Sequence, residues 1–357
     1  MNSQLIAPPI DEEIKVVAFH IHPSKSPGPD GMTTAFFQKY WHIVGKEVTD
    51  AVKTFFHTGS LLRSINFTNI ALIHKISCPM SMGHLRPISL CNVSYKIIAK
   101  TLTNRLRLVM PSIISLNQGA FVPGRLITDN VIIAQELFHS LKRHRRGNKY
   151  EMAIKLDMSK AYDRVEWSFL QVMMQKLGFV EKWISWIMEC VSTVSYSIII
   201  NGECQGNISP SRGLRQGDPL SPYLYLICAE GFSSLLLTAE HHRAIEGLRV
   251  SRGGPSINHL LFADDSLLFC RASLTEGAHV RDLLQKYGAM SGQVINFEKS
   301  SIFFSKNTPP RFRRVISRQL QIFKVMDHDK YLGLPSIIGH SKKDLFSSIK
   351  ERVASKV

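Results

Sequence analysis

Two adjacent carboxylates inside an apolar run are the residues of this sequence best placed to do chemistry. Asp264 and Asp265 interrupt residues 260–269, LLFADDSLLF. Such a run predicts a β-hairpin with buried arms and a polar tip. Ionised carboxylates beside a core need a cationic partner, and Mg²⁺ prefers a few carboxylates together with substrate phosphates. The alternative is an ordinary acidic turn, because Asp is a common turn residue.

A third carboxylate follows a second short apolar segment. Residues 151–156, EMAIKL, predict a strand that ends at Asp157 and leads into a helix over residues 165–177. On its own, Asp157 could be a helix cap or a turn residue. Two apolar strands that each deliver an aspartate at the tip instead favour a two-metal site for phosphoryl transfer.

The segments around these aspartates resemble the motifs of a known family. LDMSKAYD (156–163), GLRQGDPLSP (213–222) and FADD (262–265) resemble the A, B and C motifs of reverse transcriptases, most closely those of plant non-LTR (LINE-type) retrotransposons. KSPGPDG (25–31) resembles an N-terminal element, LRPISL (85–90) and AFVPGR (120–125) finger motifs, NFEKS (296–300) motif D and YLG (331–333) motif E. So many motifs in one order make the resemblance specific.

This resemblance implies both a fold and an activity. The fold is α+β, the fingers and palm of a polymerase right hand with an antiparallel palm sheet and a thumb that is largely absent. The activity is RNA-directed DNA synthesis, with an RNA template, a DNA primer and deoxynucleoside triphosphates as partners and two Mg²⁺ ions, or Mn²⁺, as cofactors. Two alternatives stay open. One is a group II intron-like maturase polymerase, and the other is a truncated, inactive RNA-binding remnant.

The resemblance also implies the catalytic residues. Asp157 and Asp264 are expected to be the main metal ligands, with Asp265 contributing less directly and the carbonyl of Met158 as a backbone ligand. Lys299 is expected to protonate the leaving pyrophosphate as a general acid. The alternative for Lys299 is a surface lysine at the end of a strand.

Five residues are implied to bind the incoming nucleotide: Lys75, Arg86, Tyr162, Gln216 and Gly217. Lys75 and Arg86 would contact the triphosphate, although related sequences have a proline before the lysine where this chain has His74. Tyr162 would exclude a 2′ hydroxyl by its size, or serve as a core aromatic. Gln216 and Gly217 would hold the nucleotide and template, or form only the turn before a helix. The primer end would be contacted by Tyr331, Leu332 and Gly333.

Hydrophobic periodicity predicts the elements that position these residues. Helices are predicted over residues 11–19, 33–58, 93–110, 129–143, 183–192, 222–241 and 274–291, and strands over 70–76, 85–90, 196–201, 206–209 and 293–304. Pro111 is expected to end the third helix, Asn201 and Gly202 to form the turn of a hairpin between the strands 196–201 and 206–209, and Ser273 with Glu276 to form a capping box. The expected domains are an N-terminal helical extension (1–64), a fingers–palm domain (65–340) and the start of a truncated thumb (341–357).

Composition favours a polyanionic partner. The 357 residues include 44 Lys plus Arg against 28 Asp plus Glu, a net charge of +16, which suits nucleic acid, although a soluble basic protein without such a partner is the alternative. Residues 142–149, KRHRRGNK, form the strongest basic run. Its arginines, Arg143, Arg145 and Arg146, are candidates for contact with a phosphate backbone; a nuclear localisation signal or a solvated loop are the alternatives.

The sequence gives no sign of an export or membrane signal. The N-terminus lacks a basic segment followed by a long apolar one, and the apolar stretch 223–238 contains Glu230, so we expect a buried helix there. A nuclear or cytoplasmic protein is therefore expected. The six cysteines show no C-x-x-C pair, which predicts reduced thiols without zinc or disulfides.

Overall fold

A computed structural model of the chain describes residues 1–251, 253–325 and 330–335, together with residues 347, 350, 351, 353 and 354. The chain divides into two compact units. The first unit combines Met1–Ile114 with Lys160–Cys228, and the second combines Ser115–Ser159 with Ala229–Val357. Most of the predicted thumb segment, residues 341–357, lies outside the described residues.

The described residues form ten strands. In chain order they are β1 (Phe67–His74), β2 (Leu85–Cys91), β3 (Glu151–Leu156), β4 (Ser195–Ile200), β5 (Glu203–Ile208), β6 (His259–Phe262), β7 (Asp265–Arg271), β8 (Ser301–Phe304), β9 (Lys330–Tyr331) and β10 (Leu334–Pro335). The predicted mixture of helices and antiparallel sheet is therefore confirmed.

The first unit contains one mixed sheet in the order β2-β1-β4-β5. β1 pairs antiparallel with β2 but parallel with β4. The hairpin of β4 and β5 turns at Asn201 and Gly202, which have φ values of 52° and 87°, as a two-residue turn with both φ positive requires. The hairpin was predicted, but β5 begins earlier than expected, at Glu203.

The helices of the first unit are Asn2–Leu5, Asp11–His20, Thr34–Lys39, Trp41–Thr58, Arg63–Asn66, Val93–Ile113, Trp167–Lys176 and Glu181–Ser192. The prediction of one helix over 33–58 was wrong, because Tyr40 leaves the helical region (φ −104°, ψ 21°). Pro111 does not end its helix either. A proline in the last turn removes only one hydrogen bond, and the Ile114 N–H still reaches the Met110 carbonyl at 3.0 Å.

The N-terminal PGPDG element packs closely on the helix Val93–Ile113. A Cβ atom on Gly28 would lie 2.3 Å from Asn92 Oδ1, so only glycine fits there. Lys96 Nζ donates to the Ser26 carbonyl at 2.6 Å, and burial lowers the pKa of Lys96. The tight fit explains why this element is built from small residues and prolines.

The second unit contains the antiparallel sheet β6-β7-β3-β8. Its helices are Ile127–Arg143, Leu274–Ser291 and Pro310–Leu320, and helix Ser221–His241 runs from the first unit into it. The core on this sheet includes Leu137, Phe138 and Phe269, all fully buried. Ser273 caps its helix as predicted, accepting from Glu276 N–H at 3.2 Å, but the Glu276 carboxylate accepts from Arg271 N–H instead of completing the box.

One predicted strand is shorter than expected. Residues 293–300 form a loop, and only Ser301–Phe304 pairs as β8. The loop turns at Asn296, whose carbonyl accepts the backbone N–H of Ser300 at 2.9 Å. A local turn of this kind takes the place of ladder hydrogen bonds.

Helix Ser221–His241 is long and apolar enough to cross a membrane by length and composition, but most of its residues are buried in the structure. This supports the prediction of a core helix. Of the six cysteines, four are buried and two, Cys78 and Cys204, are exposed; all are free thiols.

Candidate active site

The paired aspartates lie at the tip of the predicted hairpin. β6 and β7 pair up to Phe262 and Asp265, which leaves Ala263 and Asp264 as the two turn residues. Most of the arm residues are buried, whereas Asp264 is exposed and Asp265 half-buried. The apolar arms therefore fix the hairpin in the core and present both carboxylates at one end of the sheet.

Asp157 follows β3, the neighbour of β7 in the sheet. Leu156 pairs with Ser266, so β3 and β7 bring Asp157 and Asp265 to the same end of the sheet. The backbone of Asp157 is held on both sides. Its N–H donates to Ser300 Oγ at 3.1 Å, and its carbonyl accepts the Asn296 N–H at 2.8 Å. The end of a strand and a turning loop thus fix the backbone that carries this half-buried carboxylate.

The charges at this end of the sheet act on one another. Burial raises the pKa of Asp157; the Lys299 charge lowers it, the Asp264 charge raises it and the Lys155 charge lowers it. Burial also raises the pKa of Asp265, and the Asp264 charge adds to the rise. Three carboxylates and two lysines therefore share one electrostatic environment, which we call the carboxylate site (Asp157, Asp264, Asp265, Lys155 and Lys299).

Lys155 is the member of this site that sequence reasoning missed. It lies two residues before Asp157, on the same face of β3, and it is the one charged residue among residues 152–156, MAIKL. Its charge lowers the pKa of both Asp157 and Asp265. A charged residue on a strand beside two carboxylates could have been recognised from this spacing.

The donor atoms of the carboxylate site suit a hard divalent cation. Three acidic side chains, two of them partly buried, repel one another, and a dication would relieve that repulsion. The part of the chain that the structure describes holds no group of three or more His, Cys, Asp or Glu side chains arranged to enclose an ion. An incomplete set fits Mg²⁺, which is usually held by one or two carboxylates plus water and substrate phosphates. Met158, the proposed backbone ligand, forms a bridge with Ile295.

Lys299 lies on the loop that closes the carboxylate site. Its side chain is exposed, and its backbone N–H donates to Asn296 Oδ1 at 3.2 Å. Because its charge lowers the pKa of Asp157, the ammonium group is within electrostatic reach of that carboxylate. The structure therefore brings together four predicted residues: Asp157, Asp264, Asp265 and Lys299.

The predicted nucleotide-binding residues lie in the first unit. Tyr162 begins a short 3₁₀ helix, Tyr162–Arg164, and its ring stacks on Tyr225 with 5.0 Å between centroids and 10° between planes. Its carbonyl accepts the Leu214 N–H at 2.8 Å. A half-buried ring held in this way has a fixed position, which suits both a core role and a steric one.

Gln216 and Gly217 lie against β2. The Gln216 carbonyl accepts the Ser89 N–H at 2.8 Å. Gly217 has a φ of 105°, and a Cβ atom there would lie 3.2 Å from the Ser89 carbonyl. Glycine is therefore required by both conformation and space. The preceding residue, Arg215, is buried and pairs with Asp218 at 3.1 Å, which makes this loop rigid.

Lys75 and Arg86 are both exposed, near the connection between β1 and β2. Arg86 pairs across the strands with Ile73, two residues before Lys75, whose Nζ donates to the Gly83 carbonyl at 3.1 Å. Asp163 was missed by sequence reasoning. Burial raises its pKa and the Lys160 and Lys75 charges lower it, and it lines a cavity of about 150 Å³ with Gln216.

The three residues predicted to contact the primer, Tyr331, Leu332 and Gly333, differ in exposure. The Tyr331 side chain is only 1% exposed and belongs to the core of the second unit, whereas Gly333 is exposed. Leu332 and Gly333 form the turn between β9 and β10, with φ values of 50° and 80°. A primer contact at this motif would therefore come from the turn and not from the tyrosine ring.

The basic run, residues 142–149, begins in the last turn of the helix Ile127–Arg143 and continues as an exposed loop. Arg143, Arg145 and Arg146 are all exposed, and none of them forms an ion pair with a described acidic residue. The neighbouring His144 instead contacts Glu151 at 2.8 Å. The three arginines are thus accessible to an outside anion.

Comparison with known proteins identifies relatives over nearly the whole chain. The family model described as "Reverse transcriptase (RNA-dependent DNA polymerase)" matches residues 73–335. The chain is 30% identical over 316 residues to the Transposon TX1 uncharacterized 149 kDa protein of Xenopus laevis, covering 87% of this chain and 23% of that protein. It is 28% identical over 244 residues to the Retrovirus-related Pol polyprotein from type-1 retrotransposable element R2 of Nasonia vitripennis, covering 68% and 22%.

A shorter match is to an uncharacterized mitochondrial protein of Arabidopsis thaliana, 59% identical over 68 residues, which cover 19% of this chain and 56% of that protein. The chain spans roughly a quarter of the length of the TX1 and R2 proteins. The resemblance noted in the sequence is confirmed for a reverse transcriptase domain with relatives from non-LTR retrotransposons. The family model covers most of the chain, and so the chain belongs to the reverse transcriptase (RNA-dependent DNA polymerase) family.

Proposed function

We propose that this chain is the polymerase domain of a plant LINE-type retrotransposon and copies RNA into DNA. The observation that carries the proposal is the carboxylate site, in which Asp157, Asp264 and Asp265 share one end of an antiparallel sheet with two lysines. Phosphoryl transfer depends mostly on positioning and on neutralising charge, and this site offers both anionic ligands and cationic side chains.

In the carboxylate site, the aspartates would bind metal ions and Lys299 would donate a proton. Asp157 and Asp264, with Asp265 and the Met158 carbonyl in support, would hold two Mg²⁺ ions. When bound, such ions neutralise the attacking and leaving oxygens of an in-line displacement. In the reaction, the primer 3′ hydroxyl loses its proton to water and its oxygen forms a bond to the α-phosphorus, while the bond from that phosphorus to the bridging oxygen of pyrophosphate breaks. Lys299 would give its proton to the departing pyrophosphate.

The first unit would bind the incoming nucleotide. Arg86 suits a bidentate contact with the triphosphate, and Lys75 lies at the same end of the β1–β2 pair. The ring of Tyr162 would collide with a 2′ hydroxyl and so select deoxynucleotides. The close approach of Gly217 to β2 would leave room for the nucleotide and the template beside Gln216.

The proposed function also implies partners, a place of action and a division of the chain into domains. The partners are an RNA template, a DNA primer and deoxynucleoside triphosphates, and the place of action is the nucleus or the cytoplasm. Residues 1–64 would form an N-terminal extension, 65–340 the fingers and palm, and 341–357 the beginning of a thumb. Leu332 and Gly333 would contact the primer end, together with the backbone of Tyr331.

Primer extension tests this function directly. The purified chain is mixed with an RNA template, an annealed DNA primer, deoxynucleoside triphosphates and Mg²⁺, and Asp264→Asn serves as the matched control because it removes one charge at an exposed turn. We expect extension by the wild-type chain and none by the variant. Binding of the duplex by both proteins without extension by either would contradict the proposal and support the RNA-binding remnant.

A further inference from the structure

A segment outside the recognised catalytic motifs runs along the free edge of the catalytic hairpin. The Leu261 N–H donates to the Asn117 carbonyl at 2.8 Å, and the Gly119 N–H donates to the Leu261 carbonyl at 2.9 Å. These two hydrogen bonds make an isolated parallel β-bridge between Gln118 and Leu261. Although AFVPGR resembles a finger motif, this segment therefore belongs to the second unit and extends its sheet beside β6.

The side chain of Gln118 reaches the catalytic turn itself. Its Oε1 accepts the backbone N–H of Ala263 at 3.0 Å and that of Ala120 at 3.0 Å. Ala263 directly precedes Asp264 and has a φ of 53°, a left-handed conformation that is unfavourable for a residue with a Cβ atom. The hydrogen bond from Gln118 stabilises the turn at the point where its backbone is strained.

The burial of Gln118 indicates that this contact has a purpose beyond packing. The residue is 1% exposed, and its Nε2 has no hydrogen-bond partner among the described residues. A buried donor without a partner costs free energy. An apolar side chain of similar volume would avoid that cost but would lose the acceptor at Ala263.

Arg125 holds the backbone of this segment in place. Its guanidinium donates to the Gln118 carbonyl at 2.6 Å and also to the Ser115 carbonyl. Asn130 Nδ2 donates at 2.9 Å to the Leu261 carbonyl, the same oxygen that accepts the Gly119 N–H. The position of Gln118 relative to β6 is thus fixed by several independent hydrogen bonds.

We propose that Gln118 is a positioning residue of the polymerase site, which acts through Ala263 to aim Asp264 and Asp265. This inference rests on the proposed function, because it assumes that the two carboxylates bind divalent ions. Displacement of a ligand by about 1 Å is enough to cost about 10²-fold in rate, and Mg²⁺ demands near-ideal octahedral geometry. Loss of the Gln118 acceptor should therefore damage ion binding before it damages the fold.

The variant Gln118→Met tests the proposal, because methionine keeps the length of the side chain and removes the acceptor. Asn117→Ala is the matched control. It removes a side-chain hydrogen bond of 2.8 Å from the same segment to the same strand, at the His259 carbonyl, which lies at the far end of β6 from the turn. The measurements are Mn²⁺ binding by titration calorimetry, the single-turnover rate in Mg²⁺ and in Mn²⁺, duplex affinity and Tm.

We expect Gln118→Met to weaken Mn²⁺ binding and to slow incorporation in Mg²⁺ by about 10- to 100-fold. Mn²⁺ should recover part of the rate, and duplex affinity and Tm should stay close to those of Asn117→Ala. Unchanged Mn²⁺ binding, or equal losses in both variants, would overturn the proposal. A wild-type chain that binds Mn²⁺ but does not extend a primer would refute the proposed function alone, and the Mn²⁺ affinities would still decide the role of Gln118.

Discussion

The backbone N–H of Asp157 donates to Ser300 Oγ at 3.1 Å, and this hydrogen bond ties the backbone of a proposed metal ligand to the loop that carries Lys299. The Ser300 hydroxyl in turn donates to the Asn296 carbonyl at 2.8 Å. The strand end proposed to bind metal and the loop that carries the proposed proton donor are therefore parts of one hydrogen-bonded unit. A change in the loop at residues 293–300 is expected to alter both.

Replacing an aspartate of the carboxylate site by asparagine should lower activity without lowering the stability of the metal-free protein. Burial raises the pKa of Asp157 and of Asp265, so the ionised forms destabilise the folded state at pH 7. We expect Asp157→Asn to abolish extension and Asp265→Asn to reduce it less, while Tm in the absence of metal stays equal to that of the wild type or rises. Primer extension and thermal melting check this prediction. Loss of activity with a clearly lower Tm would point to unfolding instead.

Tyr162 should control the choice of sugar. In Tyr162→Val the smaller side chain opens space beside the 2′ carbon, so we expect ribonucleotide incorporation to increase relative to deoxynucleotide incorporation. Tyr162→Phe is the control, because it keeps the ring that stacks on Tyr225 and should discriminate like the wild type. Single-nucleotide incorporation with each sugar gives the ratio. An equal ratio in Val and Phe variants would remove Tyr162 as the steric gate.

Lys299 should affect the chemical step more than binding. General acid catalysis contributes about 10²–10⁴-fold, so Lys299→Ala is expected to lower the single-turnover rate by a factor in that range and to leave duplex affinity nearly unchanged. Lys286→Ala, which changes an exposed lysine of the same unit, serves as the control. A normal pre-steady-state rate for Lys299→Ala would identify it as an ordinary surface lysine.

The three arginines of the basic run should contribute to binding through charge alone. Replacement of Arg143, Arg145 and Arg146 by Gln is expected to weaken binding to unrelated RNA sequences alike. Each lost phosphate contact should reduce the slope of log affinity against log salt by about 0.7–0.9. Titrations at several salt concentrations measure this slope. An unchanged slope would support a solvated loop that does not touch nucleic acid.

His259 gives a prediction about pH and stability. It is fully buried, with Nε2 at 2.8 Å from Ser233 Oγ, and burial lowers its pKa to about 3. The unfolded chain therefore binds a proton below about pH 6.5 that the folded chain does not bind until about pH 3. This contribution to stability is complete above pH 6.5 and is lost as pH falls.

The measurement compares the wild type with His259→Gln, because carboxylates titrate in the same range and a difference removes their effect. We expect the advantage of the wild type in unfolding free energy to shrink by about 1.4 kcal/mol per pH unit below about pH 6. Denaturant titrations at several pH values give the difference. A constant difference would show that His259 is protonated in the folded state.

The parts of the fold that the sequence made predictable are those governed by short-range patterns. An apolar run interrupted by two aspartates indicated the hairpin of β6 and β7, and the Asn201-Gly202 pair indicated the turn between β4 and β5. The loop at 293–300 was not predictable in the same way. Its β-like composition is overridden by hydrogen bonds to Asp157, a residue far away in the chain.

In the candidate site, too, some residues could be predicted from short-range patterns and others could not. The aspartates stand out because charge is unusual in an apolar run. Gln118 does not stand out, because a glutamine in a loop gives no sign of burial, and its role arises only when β6 lies beside it. Side chains that act through tertiary hydrogen bonds are therefore the class that sequence patterns miss.

The division of each unit into two separated stretches of chain has a consequence for synthesis on the ribosome. β3 forms the middle of its sheet with β7 and β8 on either side, yet both of those strands are translated much later. During that interval the nascent chain carries an apolar strand without neighbours, and such unpaired edges are prone to aggregation. The sheet of this unit can therefore be completed only after the aspartate hairpin and β8 have left the ribosome, and residues 151–156 lack their strand partners until then.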